Sequence, residues 1–214
     1  MEPTEDRSTR KRRAIMDAAT QAFLRDGYQG TSMDAVAAAA QVSKQTVYKH
    51  FLSKQQLFAE IVRATTSQAA DPVGEDARAL GDSHDVDADL RDLGRRLLTL
   101  VMQPGILRLR RLVIAEAGRF PELGRTFMEQ GTGRTGQVLA AAFERLAARG
   151  VLRLDDPALA AAQFNWLVMA RPINEAMLLG RHDTPDPAEI ARHVDAGVCL
   201  FMKAYGTVLP NAGA

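Results

Sequence analysis

The stretch TSMDAVAAAAQVSKQTVYKHF, residues 31–51, decides the fold. Thr31 is a good N-cap, and Asp34 is placed to reach back to the free amides of a short helix that begins at Met33. A tight two-residue break follows this alanine-rich helix, and Ser43 then caps another one. Two short helices joined by a tight break predict a helix-turn-helix.

The second of these helices has two different faces. Val47 and Phe51 lie one turn apart and are predicted to face inward. The opposite face carries hydrogen-bond donors and no carboxylate: Lys44, Gln45, Tyr48 and Lys49. Eight residues of helix span roughly 12 Å, which is about the width of the major groove of B-DNA. This helix is therefore a candidate for reading base edges, although a solvated polar face on an ordinary helix stays an alternative.

Charge favours the nucleic-acid interpretation. Between Arg7 and Lys54 there are nine Lys or Arg against three Asp or Glu, which leaves 18 basic and 23 acidic side chains elsewhere. A basic region beside an acidic remainder suggests that the basic part meets a polyanion. Five basic residues form a predicted arm just before the first helix: Arg7, Arg10, Lys11, Arg12 and Arg13. Such an arm can reach phosphates or a minor groove.

At these residues the chain resembles the DNA-binding domain of the TetR family of bacterial transcriptional regulators. The resemblance covers about 50 residues and is carried by Ala40-Gln41-Val42-Ser43, Thr46-Val47-Tyr48, Phe51, Ser53-Lys54 and Leu57-Phe58. Gln41 departs from the family pattern, which usually has glycine there, so we expect the backbone of the turn to differ locally.

The resemblance implies roles for individual residues. Tyr48, Lys49 or His50, and Lys54 would contact phosphates, and Thr31 joins them as a DNA-binding residue. The residues nearest the bases would be Ser43, Lys44, Gln45 and Thr46. Their chemistry is suitable, because Lys and Gln side chains offer donors to guanine and adenine edges and the Thr methyl suits a thymine methyl.

Helical patterns dominate the whole chain and predict an all-α fold. The first helix is predicted over Thr9–Arg25, and the acidic segment 71–89 reads as an exposed linker. Later helices are predicted over Leu90–Met102, Pro104–Ala117, Glu122 to about Arg149, Pro157–Leu179 and Pro187–Tyr205. We predict a DNA-binding domain over residues 1–57 and a helical ligand-binding and dimerisation domain over residues 58–214.

The last two helices are predicted to form a homodimer. The final helix carries an apolar stripe that includes Val198 and Phe201, and two such helices can form a four-helix bundle with a second copy. Arg at Val198 or Phe201 is therefore expected to yield monomers. The alternative is that both helices pack inside the monomer.

An effector pocket is predicted among the helices from about residue 90 to residue 180, because soft and aromatic side chains shape irregular apolar cavities. Its candidate residues are Met102, Ile106, Leu109, Asn165, Trp166, Met169 and Arg171. Each of the apolar ones is also a candidate for ordinary core.

Other chemistry finds little support. The motif GTGRTG, residues 131–136, is not preceded by a strand, so it reads as a break near helices and not as a dinucleotide site. The four histidines are scattered, and we predict no metal, no cofactor and no catalytic residue. Cys199 lies in an apolar stretch and is predicted to pack in the core. Without a membrane-spanning run or a signal peptide, the expected location is the cytoplasm.

The leading hypothesis is a ligand-responsive transcriptional repressor. It would bind double-stranded operator DNA as a homodimer and be released by a small apolar effector. The runner-up is a DNA-binding regulator without an effector, whose larger domain serves assembly or a protein partner. A helical enzyme with a basic surface is the third possibility, but no nucleophile–base pair, metal cluster or phosphate loop supports it.

Overall fold

The computed structural model describes residues 6–129, 133–180 and 185–207, without the side chains of residues 66–73. Helices account for almost all of this part of the chain, which confirms the predicted all-α fold. They are α1 (Arg7–Gly30), α2 (Met33–Ala39), α3 (Lys44–His50), α4 (Lys54–Ala79), a 3-10 helix (Leu80–Asp82), α5 (Val86–Val101), α6 (Pro104–Glu116), α7 (Pro121–Met128), α8 (Arg134–Ala148), α9 (Pro157–Leu178) and α10 (Pro187–Tyr205).

The chain divides into two compact units, and their membership does not follow chain order. The first, called the head below, contains the residues up to Thr65 together with Arg108–Met128. The second, called the body, contains Thr66–Leu107 and the chain from Glu129 onward. The predicted domain boundary at residue 57 stays a prediction. The sequence did not indicate that residues 108–128 pack with the head.

Aromatic rings form the centre of the head. Phe23, Tyr28 and Phe58 contact one another with ring centroids 5.1–5.6 Å apart. Phe120, from the segment between α6 and α7, packs on Tyr28 at 4.9 Å. Four further side chains of α6 and α7 are buried in the same cluster: Leu109, Val113, Leu123 and Phe127. The head core is therefore completed by residues more than 40 positions beyond α3.

The body core is built chiefly from α5, α8, α9 and α10. Phe201 of α10 lies 5.1 Å from Phe143 of α8 and 5.4 Å from Phe164 of α9, measured between ring centroids. The α9 and α10 helices approach closely at Gly197, where an added Cβ would lie 3.3 Å from the carbonyl oxygen of Leu167. Such close packing brings the two last helices together within one chain.

Two predicted features need correction, the linker and the basic arm. The linker at 71–89 is wrong, since α4 continues to Ala79 and α5 begins at Val86. Its composition is acidic, but Ala77 and Leu80 are buried at 0% and 2% exposure, which holds the segment on the body. Arg149 also donates hydrogen bonds to carbonyls of residues 81 and 83, at 2.8 and 2.7 Å.

Within the predicted helix from Glu122 to about Arg149, the structure describes α7 and α8. Residues 130–132 between them, which include part of the glycine motif, lie outside the described residues. The basic arm was predicted to precede the first helix, but α1 begins at Arg7. All five basic residues of the arm are therefore helical, and Asp6 caps the helix that carries them.

Candidate nucleic-acid interface

The start of α2 differs from the prediction by one residue. Ser32 is the N-cap, and its hydroxyl accepts a hydrogen bond from the Ala35 amide at 3.1 Å. Thr31 is only 2% exposed, and its hydroxyl donates to the carbonyl of Gly27 at 2.9 Å. Both residues are good caps in isolation, so the sequence offered no means of choosing between them. Because Thr31 is buried, its predicted role in contacting DNA needs correction.

The turn between α2 and α3 is a Schellman motif. The amide of Val42 bonds to the carbonyl of Ala37, and the amide of Gln41 bonds to the carbonyl of Ala38, each at 3.1 Å. Gln41 has φ 54°, the left-handed conformation that this motif requires and that glycine adopts most easily. The departure from the family pattern is thus accommodated by a glutamine in a left-handed conformation.

The α3 helix is oriented by its apolar side. Ser43 caps it by accepting a hydrogen bond from the Thr46 amide at 3.1 Å, which confirms the predicted cap. Val47 and Phe51 are completely buried in the head core, as predicted. Their burial turns the other side outward, and the exposed residues Lys44, Gln45, Tyr48 and Lys49 are called the reading face below.

The reading face has an acidic neighbour that the sequence did not indicate. The Lys44 ammonium lies 2.9 and 3.0 Å from the two carboxylate oxygens of Asp34, on α2. The hydrogen bond to Asp34, followed by its charge, raises the pKa of Lys44. The same ammonium lies 6.0 Å from the ring centroid of Tyr48. One cation of the reading face is therefore already paired.

Lys54, predicted to contact a phosphate, is engaged inside the head. Its ammonium donates to the carbonyls of Tyr28 and Thr31 at 2.8 and 2.9 Å. It also lies 4.6 Å from the centroid of the Tyr28 ring. These contacts attach the start of α4 to the segment between α1 and α2. Two of the three ammonium hydrogens are used, so its role in DNA binding stays a prediction.

Side chains also cap the first turn of α4. Ser53 accepts a hydrogen bond from the Gln56 amide at 3.1 Å. The Gln56 side chain reaches back to the amide of Leu52 at 2.7 Å, one residue earlier than in a standard capping box. The adjacent Gln55 donates to the carboxylate of Glu122 on α7. The start of α4 is thus held by its N-cap and by a side-chain hydrogen bond to α7.

One member of the basic arm belongs to the head structure. Arg12 pairs with Glu60 at 2.6 Å and lies 5.1 Å from the centroid of the Phe51 ring. Its guanidinium is therefore engaged within the head, on a carboxylate that also pairs with Arg63, whereas the side chains of Arg7 and Arg10 are exposed. The sequence missed this difference because Glu60 is 48 residues away.

The predicted effector residues do not form one site. Met102 and Arg171 line a cavity in the body, whereas Ile106 and Met169 are simply buried. Leu109 needs correction, since it lies in the head core. Trp166 also needs correction, because it is 67% exposed on α9. Asn165 is partly buried, and its side-chain amide oxygen has no hydrogen-bond partner in the described part of the chain.

The cavity lies between α5, α9 and α10 and has a volume of about 730 Å³. Apolar side chains at its floor include Leu98, Met102 and Ile190, which are at most 5% exposed. Six polar or charged residues also line it: Arg171, Glu175, Asp186, Glu189, Arg192 and His193. The volume suits a small molecule. The lining is more polar than the pocket predicted, and two of the twelve lining residues that the structure describes were among the seven candidates.

Membrane and metal chemistry receive no support from the described residues. None of the helices traced there is long and apolar enough to cross a membrane. Within the same residues, no group of three or more His, Cys, Asp or Glu side chains is placed to hold a metal ion.

The models of two known protein domains match this chain. Residues 15–61 match the model of bacterial regulatory proteins of the tetR family, and residues 88–207 match the C-terminal domain of AefR-like transcriptional repressors. A stretch of 51 residues is 45% identical to the helix-turn-helix transcriptional regulator YhgD of Bacillus subtilis. That alignment spans 24% of this chain and 27% of YhgD.

Solved structures are similar over nearly the whole chain. A TetR-family regulator from Mesorhizobium loti is 42% identical with a TM-score of 0.86, covering 95% of this chain and 100% of that one. The flavonoid-responsive regulator FrrA is 35% identical with a TM-score of 0.78, covering 92% of this chain and 98% of FrrA.

The fold and the exposed α3 define a helix-turn-helix DNA-binding regulator. The chain belongs to the TetR family of bacterial transcriptional regulators. Members of this family are regulators and not enzymes, which agrees with the prediction made from the residues.

Proposed function

We propose that this protein is a ligand-responsive repressor that acts in the cytoplasm, binds operator DNA as a homodimer and leaves it when a small molecule occupies the body. One observation carries the DNA-binding part: Val47 and Phe51 are completely buried, so the donors on the opposite side of α3 face outward together. A helix presented in this way can enter a major groove with its N-terminal residues on base edges.

Within this proposal the residues divide by chemistry. Ser43, Lys44, Gln45 and Thr46 lie at the start of α3 and read bases. Tyr48, Lys49, His50 and Ser32 are placed for phosphates, with Lys54 as a contact or as a support for the chain beside it. The hydroxyls of Ser43 and Thr46 already share a hydrogen bond of 2.8 Å, so these two side chains act as one polar unit.

Gln45→Ala is expected to change which sequences the protein prefers. The Gln45 side chain is exposed and can make a bidentate contact with adenine, which is worth about 1–3 kcal/mol of discrimination. Selection from a randomised duplex pool should therefore show relaxed preference at one position, by about 5- to 150-fold. Gln21→Ala, at an exposed position of α1, is the matched control and should preserve the preference. An unchanged selected sequence with Gln45→Ala would count against base reading by this residue.

The homodimer is proposed to form through exposed apolar residues of the last two helices. Leu159 and Trp166 lie two turns apart on α9 and are 52% and 67% exposed. Leu200 of α10 is 56% exposed, and Ala204 lies one turn further on. A second copy that covers these side chains with its own would build a four-helix bundle.

The effector is proposed to bind in the cavity between α5, α9 and α10. Its apolar floor and charged mouth favour a ligand with both apolar and polar parts, which refines the apolar molecule expected from the sequence. FrrA is described as flavonoid-responsive and is 35% identical to this chain. Flavonoids, which combine apolar rings with hydroxyl groups, are therefore the first ligands to try.

Ligand binding should lower the affinity for the operator, and operator binding should lower the affinity for the ligand by the same factor. Typical coupling of about 1–3 kcal/mol corresponds to about 5- to 150-fold. A dimer reading successive major grooves needs its recognition helices about 34–36 Å apart, and a ligand that favours another spacing lowers DNA affinity. The flavonoid naringenin serves as the test ligand. Operator affinity is measured by fluorescence anisotropy with and without naringenin, at a concentration shown by calorimetry to saturate the dimer.

Two variants separate the cavity from the rest of the body. Glu189→Trp fills the mouth of the cavity and should abolish both naringenin binding and its effect on DNA. Ala188→Trp adds the same ring at the neighbouring exposed position, which does not line the cavity, and should preserve both. Equal operator affinity with and without saturating ligand would remove the induction mechanism for that ligand and favour the effector-free regulator.

A further inference from the structure

An ion pair joins the reading face to α2. The Asp34 carboxylate contacts the Lys44 ammonium through both oxygens, at 2.9 and 3.0 Å. Both side chains are largely exposed, at 63% and 60%. Exposed pairs of this kind contribute little to stability. We therefore expect this ion pair to add little to the stability of the head. Its main effect should be on DNA binding.

The pair acts on the charge that the reading face offers to DNA. Binding without sequence preference depends on how many phosphates are neutralised by Lys and Arg side chains. While Lys44 is paired with Asp34, the pair as a whole has no net charge, so Lys44 does not neutralise a phosphate. A base edge makes a different demand, because the ammonium can donate to acceptors fixed in the groove, such as N7 and O6 of guanine. Only a correctly placed acceptor on a base compensates for the loss of the contact between Lys44 and Asp34.

Resting on the operator-binding function proposed above, we propose that Asp34 is a specificity-determining residue, which suppresses binding to non-operator DNA by occupying Lys44 until an operator base replaces the carboxylate. The residue does not need to touch DNA. It raises the ratio of operator affinity to random-sequence affinity, which decides whether a regulator finds its site among many competitors.

The test compares Asp34→Asn with the unchanged dimer on two 30-bp duplexes. One has random sequence, and the other is selected by the wild-type protein from a randomised pool. Freeing Lys44 should add about one phosphate contact, so affinity for random DNA should rise about eightfold at 0.1 M salt. The slope of log K against log salt should steepen by about 0.9. Affinity for the selected duplex should rise less than about threefold, so the specificity ratio falls.

A matched control and a double-mutant cycle make the result specific to Lys44. Asp26→Asn removes the same charge from the head, where Asp26 pairs with Arg25 on α1 at 2.7 Å, and should change both affinities less than about twofold. In a Lys44→Met background, Asp34→Asn should also have almost no effect. Asp34→Ser, checked for folding by circular dichroism, should reproduce Asp34→Asn.

Three results would overturn the proposal. An equal rise on both duplexes would show that Asp34 does not discriminate between them. An eightfold rise that persists with Lys44→Met would mean that Asp34 acts by its own repulsion of phosphates. Unchanged affinity for random DNA, with the variant folded, would show that the ion pair does not restrain Lys44.

Discussion

Phe201→Arg is expected to unfold the body, whereas Leu200→Arg, one residue earlier on α10, should leave the chain folded and make it monomeric. Phe201 is completely buried and its ring contacts Phe143, Phe164 and Tyr205 at centroid distances of 4.9–5.4 Å. Loss of that ring alone costs about 3–5 kcal/mol, and burial of an unpaired charge adds to it. The sum is comparable to the whole stability of a typical domain.

Leu200 lies on the exposed part of the same helix, about 100° around the axis from Phe201. It is 56% exposed, so Arg there meets water in the single chain and another copy of α10 in the proposed dimer. Circular dichroism should show a native helical signal for Leu200→Arg and a reduced one for Phe201→Arg. Sedimentation velocity should show that Leu200→Arg is a monomer at micromolar concentration, with operator binding lost.

Leu52→Arg is the control for an exposed apolar residue outside the proposed interface. Leu52 is 79% exposed in the head, and its replacement should keep the dimer. A dimeric Leu200→Arg would place the interface elsewhere. A folded and cooperative Phe201→Arg would contradict the core assignment. The expectation that Arg at Val198 or Phe201 yields monomers needs correction, because both residues are completely buried within one chain and Arg there would disrupt the core first.

The N-terminal fragment that ends at Thr65 is expected not to fold on its own. It contains the whole helix-turn-helix but lacks Leu109, Val113, Leu123 and Phe127, all buried in the head core. Each such side chain contributes roughly 1.5–3 kcal/mol on burial, so the fragment loses about as much as a small domain possesses. It also loses the Phe120 ring that covers Tyr28 at 4.9 Å.

Urea unfolding followed by circular dichroism measures this directly. The fragment alone should give a shallow transition without a native baseline. A fusion that joins it to residues 108–128 through a Gly/Ser linker should recover cooperative unfolding. The same fusion with Phe120→Ala should be less stable than the unmodified fusion. Cooperative unfolding of the short fragment by itself would show that α6 and α7 are dispensable for the head.

The reading face was predictable because its determinants are local. Ser43 caps α3 three residues from the amide that it accepts from, and the spacing of Val47 and Phe51 identifies the inward side. The contacts that modify this face were not predictable. Asp34 was interpreted only as part of a cap, although its carboxylate holds Lys44 ten residues away. The choice between two adjacent caps also needed the burial of Thr31.

The cavity proposed to bind the effector was the least predictable feature. Only Met102 and Arg171 among its candidates line the cavity, because a cavity forms where three helices fail to fill the space between them. Such a space depends on helix positions that residue types do not reveal. Trp166 was expected to line a pocket and instead faces outward on α9.

The sequence by itself determined most of the helices, the helix-turn-helix and the polar side of α3, since caps and apolar spacing act over a few residues. The tertiary structure decided that residues 108–128 complete the head. It also decided that the α10 stripe containing Val198 and Phe201 packs within one chain, leaving Leu200 outside. The physical reason is that an apolar stripe must be buried, but only long-range packing determines whether its own chain or a second copy buries it.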